Sequence, residues 1–175
     1  MRYFMKGGVL SLENRENLLK LKSLFSTSEK RMLLMNDELV AKTIIRYKEC
    51  KTANDSDVRS HAYVMLDAQG REIAVAHPDY AKGEDPIEVG WPICRIPRVD
   101  HAFVDMDGTT YILNMLNSQN YQLMDEKEQR VVQIIHRGLC GGWIIDAIDS
   151  FSPAFLCGLF AFCRYIEQEN ELLVV

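Results

Sequence analysis

The stretch SPAFLCGLFAFCRYIEQEN, Ser152 to Asn170, decides the fold. Ser152 reads as an N-cap and Pro153 as a first helical residue, because the Ser oxygen can accept a bond from an orphan amide and Pro lacks a donor that would go unsatisfied there. From Ala154 to Cys163 every face is apolar. A surface helix would show a polar stripe, so this one is enclosed by protein or lies in lipid. Ten residues fall short of the ~18 to 20 that a bilayer crossing needs, and extension backward meets Ser152, Ser150, Asp149 and Asp146, which are costly in hydrocarbon. The expectation is a helix over about 153–168, walled in by the rest of the chain and not an integral membrane span.

The rest of the chain reads as strands. Apolar alternating runs flank short breaks at Asn36-Asp37-Glu38, at Asp67 to Gly70, at Asp107-Gly108 and around Asp125 to Gln129, giving hairpins over 32–45, 63–76, 102–115 and 121–135. Asp, Asn and Gly tolerate the positive φ that tight strand connections demand. Leu18 to Leu34 also fits a helical spacing. We assign it to strands, because Leu19 and Leu21 alternate with Lys20 and Lys22 and because Ser26-Thr27-Ser28 suits a turn better than a helix interior. Strands surround a helix on all sides only by closing on themselves. The lengths agree: Pro153 to Glu167 as helix spans roughly 22 Å, and strands of six to eight residues span about 20 to 27 Å. The predicted fold is mainly β: a closed antiparallel barrel around its own C-terminal helix. Gly158 would let a strand or a large side chain approach the helix axis, and Arg164, Glu167 and Glu169 would mark its exit into water.

Length and composition suit one domain over residues 1–175. With 175 residues, 47% hydrophobic and 26% charged, the chain is an ordinary globular one and needs no disulfide framework. Cys50, Cys94, Cys140, Cys157 and Cys163 show no CxxC spacing, so they read as reduced structural thiols. The N-terminus lacks a signal-peptide core, which places the protein in a cytoplasm. Glu49 to Ser60 reads as a solvated loop. The stretch 78–97 contains Pro78, Pro86, Pro92 and Pro97, too many for a central strand. It is expected to join two half-barrels, with Trp91 and Ile93 packing it onto the body.

A net charge of -5 argues against nucleic acid as a partner. The charge is uneven: residues 1 to 51 carry 11 Lys or Arg against 6 Asp or Glu, whereas residues 52 to 175 carry 9 against 19. A strand over Leu39 to Lys48 places Lys42, Arg46 and Lys48 on one face. Lys20 and Lys22 share a face in the same way, and Lys30 joins them if neighbouring strands pair in order. Such a cluster attracts anionic headgroups at about 1 kcal/mol per basic residue near the surface, or is simply a solvated outer wall.

The opening Arg2-Tyr3-Phe4-Met5-Lys6, the run Leu18-Leu19-Lys20-Leu21-Lys22, Leu24-Phe25-Ser26, Lys30, Met32-Leu33-Leu34, Asn36-Asp37-Glu38, Leu39-Val40-Ala41 and the apolar C-terminal helix together resemble the LURP-one-related group. That group belongs to the tubby C-terminal-like superfamily, with the phospholipid scramblases. The resemblance implies a closed antiparallel barrel of about twelve strands around a central helix. Tubby-like barrels include phosphoinositide binders, so it also implies docking at a membrane surface. The sequence differs from the common pattern in the proline-rich connection and in Glu171 to Val175.

Catalytic and cofactor motifs are missing from the sequence. There is no phosphate loop, dinucleotide fingerprint or nucleophile elbow, and no cofactor is expected. His101, Asp105 and Asp107 fall on one strand face, where a divalent site competes with a hairpin turn. Gly108 cannot be the sixth residue of a calcium loop, because Phe103 and Asn114 would then hold its carboxylate positions. Gly138, Gly141 and Gly142 read as a bend. Cys140 with His136 is the one nucleophile and base pair to consider, without an orienting third group. The expected function is therefore a non-enzymatic module whose outer wall, at Lys20, Lys22, Lys30, Lys42, Arg46 and Lys48, docks anionic phospholipid headgroups or a protein partner. Scramblase-like lipid handling and a Cys/His enzyme are the alternatives.

Overall fold

A computed structural model describes residues 1–24, 28–47, 61–80, 98–148 and 150–171. Twelve strands run in chain order: β1 (Arg2–Lys6), β2 (Val9–Leu12), β3 (Asn17–Ser23), β4 (Lys30–Leu33), β5 (Leu39–Tyr47), β6 (His61–Asp67), β7 (Glu72–Tyr80), β8 (Val99–Met106), β9 (Thr109–Asn117), β10 (Asn120–Met124), β11 (Arg130–His136) and β12 (Trp143–Ala147). Among the described residues one α-helix, α1 (Pro153–Glu171), follows. Each strand pairs antiparallel with its neighbours in sequence, and β1 meets β12 in the register Arg2–Asp146 to Met5–Trp143, which closes the barrel. Among the described residues this closure leaves no sheet edge for another chain to extend.

The hairpins lie where the Asp, Asn and Gly breaks placed them. Asp107 and Gly108 adopt φ of 50° and 77°, as a two-residue connection matched to strand twist requires. Four other turns share a different plan, and all close the same end of the barrel. In 12–16, 34–38, 67–71 and 125–129 the first residue's amide donates to the carbonyl of the fifth, and the fourth residue's amide returns to the carbonyl of the first. The fourth residue has positive φ: Arg15, Asp37, Gly70 and Glu128. A register shift accompanies each turn, at Leu10/Ser11, Met32/Leu33, Met65/Leu66 and Leu123/Met124. Side-chain oxygens of Asn14, Asn36, Asp67 and Asp125 accept the amide two residues on, which explains why the breaks are rich in Asx residues.

Inward positions follow the period of two and build one core around α1. Ala41, Ala74, Ala76 and Ala102 face inward on β5, β7 and β8, and the helix runs closest to the β3–β8 side. Small side chains there let the helix approach. Leu113, Tyr121, Leu123, Val132, Ile134 and Ile145 fill the wider opposite side. Ser152 caps the helix as expected, its Oγ accepting from Phe155 N at 3.1 Å. Phe155 to Cys163 is buried on every face. Gly158 receives the tip of Met65, as anticipated for a close approach.

Three expectations need correction or fall outside this description. Pro78 belongs to β7, opposite Ala102. It lies beyond the Tyr63–Ala76 pair that ends the β6–β7 ladder, a strand-end position where a missing donor is tolerated. The helix continues to Glu171, past the expected end, because Glu169 and Asn170 find partners on the wall. The Glu49 to Ser60 loop, the rest of the proline-rich connection with Trp91 and Ile93, Cys50, Cys94, Lys48 and residues 172–175 lie outside the described residues.

Candidate functional site

The basic residues of β3, β4 and β5 form a row across the outer wall. Lys22 stands opposite Arg31, and Arg31 opposite Lys42. Like charges directly opposite one another are unfavourable, and nearby carboxylates offset them. Glu29 accepts from Arg31 at 2.6 Å and lies 3.7 Å from Lys42. Asp37 lies 3.0 Å from Lys22 and 3.4 Å from Lys20. Arg46 pairs with Glu72 at 2.9 Å. The Arg31 hydrogen bond holds the Glu29 carboxyl below its ordinary range, and the Lys22 hydrogen bond does the same for Asp37. Among the described residues five cations therefore share three carboxylates on this face.

Lys20, Lys22, Lys42 and Arg46 are thus brought together as the sequence suggested. Lys30 is not. It is 6% exposed and faces inward, in phase with Met32. Arg31 takes the outward place that the sequence reading gave to Lys30. The signal was present: a period of two along Lys30-Arg31-Met32 puts Lys30 on the face of the buried Met32 and Arg31 on the other.

A second polar group gathers at the end where α1 exits. His61 Nε2 lies 2.8 Å from Glu169 Oε1, and Tyr63 OH donates to the same oxygen at 2.7 Å. Arg164 pairs with Glu167, and its guanidinium lies over the Trp143 ring at 5.7 Å. Asn170 bridges both backbone groups of Val99. Tyr165 OH lies 2.9 Å from Thr43 Oγ1 and donates to Ser28 O. Burial pushes the Tyr165 hydroxyl up to about 12, and it raises Tyr63 well above the usual phenol range. Arg164, Glu167 and Glu169 were expected to mark emergence into water. Instead they stay in the mouth, Glu167 only 8% exposed, because each meets a wall or helix partner. A cleft of ≈ 220 Å³ opens beside them, between Arg98, Met115, Ser118, Glu167 and Asn170.

The remaining candidates are dispersed. His101 engages Asp100 at 2.5 Å and Asp79 at 3.6 Å, while Asp105 binds Thr110 and lies 3.8 Å from His77. Among the described residues no group of His, Cys, Asp and Glu is arranged to hold a metal ion. His136 Nδ1 accepts the Gly138 amide and its ring lies against Trp143. Cys140 is exposed on the turn that follows. Burial raises the Cys157 thiol to about 12 and lifts Cys163 as well, so neither is a thiolate at neutral pH.

Fold and surface together define a class: an antiparallel barrel closed over twelve strands, with a helix of the same chain along its axis and a basic row on the outer wall. The chain matches no family model, no curated protein and no solved structure. Among the described residues no helix is long and apolar enough to cross a membrane.

Proposed function

We propose that this protein is a non-enzymatic binding module that docks anionic phospholipid headgroups, of the phosphoinositide type, on the outer wall of β3, β4 and β5. The observation that carries this reading is the in-register row Lys22, Arg31 and Lys42. Three cations side by side repel one another, and Glu29 and Asp37, two carboxylates for the three, offset part of that repulsion. A polyanionic headgroup would relieve the rest. The resemblance to tubby-like barrels points the same way.

The test is co-sedimentation with vesicles containing phosphatidylinositol bisphosphate at low and high salt. Binding should fall as salt rises, because exposed charge interactions are screened. It should weaken in Lys42→Glu with Arg46→Glu, and in Arg31→Glu, but not in Lys127→Glu, on the β10–β11 turn across the barrel from β4. Failure to bind at low salt removes the proposal.

A further inference from the structure

The two ends of the barrel differ in charge. At the end where α1 starts, each of the five described hairpin turns carries an acid: Glu13 in 12–16, Asp37 in 34–38, Asp67 in 67–71, Asp107 in 107–108 and Asp125 in 125–129. At the end where α1 exits, the neighbouring turns 117–120, 137–142 and 7–8 carry none, and the stretches 130–145 and 1–12 that frame the last two contain no Asp or Glu. Leu139 stands fully exposed at the tip of 137–142, more so than any other large apolar side chain among the described residues. Single exposed apolar side chains are ordinary; this one is set apart by a held turn and by the cations at its base.

We propose that the Leu139 tip enters the boundary between headgroups and acyl chains of an anionic bilayer, with Lys6 and Arg137 meeting the headgroups around it. This rests on the headgroup-docking reading and adds to it which end of the barrel meets the membrane.

The tip is built to project. Arg137 N donates to Gly142 O at 2.9 Å and Gly141 N to Gly138 O at 3.0 Å, which closes the turn. Lys6 Nζ donates to Cys140 O at 3.1 Å and ties it to β1. A Cβ on residue 142 would lie 2.5 Å from Met5 O, so the turn is pressed against that strand. A tip held in place loses little freedom on insertion, and more of the transfer free energy of its side chain goes into binding.

Charge supplies the chemistry of the partner. The Arg137 guanidinium lies over the Phe4 ring at 5.5 Å, beside the tip. Lys6 stands opposite Val9 and Val9 opposite Lys20, so the register carries the base of the tip into the basic row of β3. Glu29, which enters that row from the same end, is held by Arg31 and Lys42. An anionic surface attracts these cations, and the acidic turns of the opposite end face away from it. An apolar tip among cations fits a bilayer, where headgroups meet the charges and hydrocarbon meets the leucine.

The test places an environment-sensitive nitrobenzoxadiazole on Cys140 of the full chain carrying Cys50→Ser and Cys94→Ser; Cys157 and Cys163 are buried. The control carries the dye through Glu126→Cys in the same background with Cys140→Ser. Both are mixed at low salt with phosphatidylcholine vesicles containing phosphatidylinositol bisphosphate, and sedimentation is measured in parallel. Emission from Cys140 should rise and shift to the blue on binding, and emission from position 126 should stay that of water. In the unlabelled protein Leu139→Ser, which changes no charge, should weaken sedimentation about fivefold, and Leu139→Trp should strengthen it. If the protein sediments while the Cys140 emission is unchanged, or if Leu139→Ser binds as the wild type does, the tip proposal is overturned and headgroup docking stands. If nothing sediments, both readings fall. A shift that grows with protein concentration without vesicles assigns the tip to a second copy and overturns the proposal as well.

Discussion

Gly158 of the helix and Met65 of β6 share one space: a Cβ on residue 158 would lie 1.8 Å from Met65 Cε. Both are enclosed, with Met65 fully buried, so the thioether has to repack within the core. In Gly158→Ala the overpacking, about 1 to 3 kcal/mol, should exceed the ~1 kcal/mol gained in helix propensity. Combined with Met65→Ala, the same substitution should turn stabilising. Denaturant unfolding of the four proteins in this cycle checks the change of sign, and additive effects would refute the steric account.

At Glu128, φ of 57° puts a side chain where Gly70 sits in the matching turn. Glu128→Gly should therefore raise stability by about 0.5 to 1 kcal/mol, as relief of a left-handed conformation outweighs the added freedom of the unfolded chain. Gly70→Ala should lower it by a similar amount. Urea midpoints report both.

The Tyr165 hydroxyl serves Thr43 and the Ser28 carbonyl in the barrel interior. Tyr165→Phe should cost about 1 to 3 kcal/mol, because buried groups lose their partner. Adding Thr43→Val should recover part of that loss. A double mutant as unstable as the sum of the singles would show that the pair is not coupled.

Lys30 should oppose folding at neutral pH. Its pKa is lowered in the folded state, so below the lowered value both states are protonated and the full cost of the buried charge applies. Between that value and the ordinary lysine value the unfolded chain binds more protons, and stability rises with pH. Lys30→Met should raise stability at neutral pH, and the advantage should shrink towards pH 10. Wild-type and variant unfolding free energies compared at each pH test this; the comparison cancels Tyr63 and Tyr165, whose raised values act in the opposite direction.

Glu29 gives the acid-side counterpart. Its folded pKa is lowered, first by the Arg31 hydrogen bond, so its contribution is present above the unfolded value and lost as pH falls through the folded one. Glu29→Gln should cost about 1 kcal/mol near neutrality, with the side chain 18% exposed, and little at low pH. Equal losses at both pH values would exclude an ionic role.

How much could be read in advance differs from place to place. The hairpins at Asn36, Asp67, Asp107 and Asp125 were legible because turn chemistry is local. The five-residue β12 was not, since Trp143 to Ala147 has no Asx break before it and pairs with β1 more than 130 residues away in sequence. Lys20, Lys22, Lys42 and Arg46 were assigned to the outer wall by strand period alone. Lys30 was expected to join them if neighbouring strands pair in order; they do, but its phase with Met32 turns it inward.

Closure followed from the amino-acid order itself: a helix apolar on every face has to be walled in, and strands are the only wall this chain offers. Which cations stand side by side, and which lysine turns inward, came only from the assembled barrel. Register between strands and the distance from wall to helix are set by packing across the whole molecule, and no short window of sequence contains them.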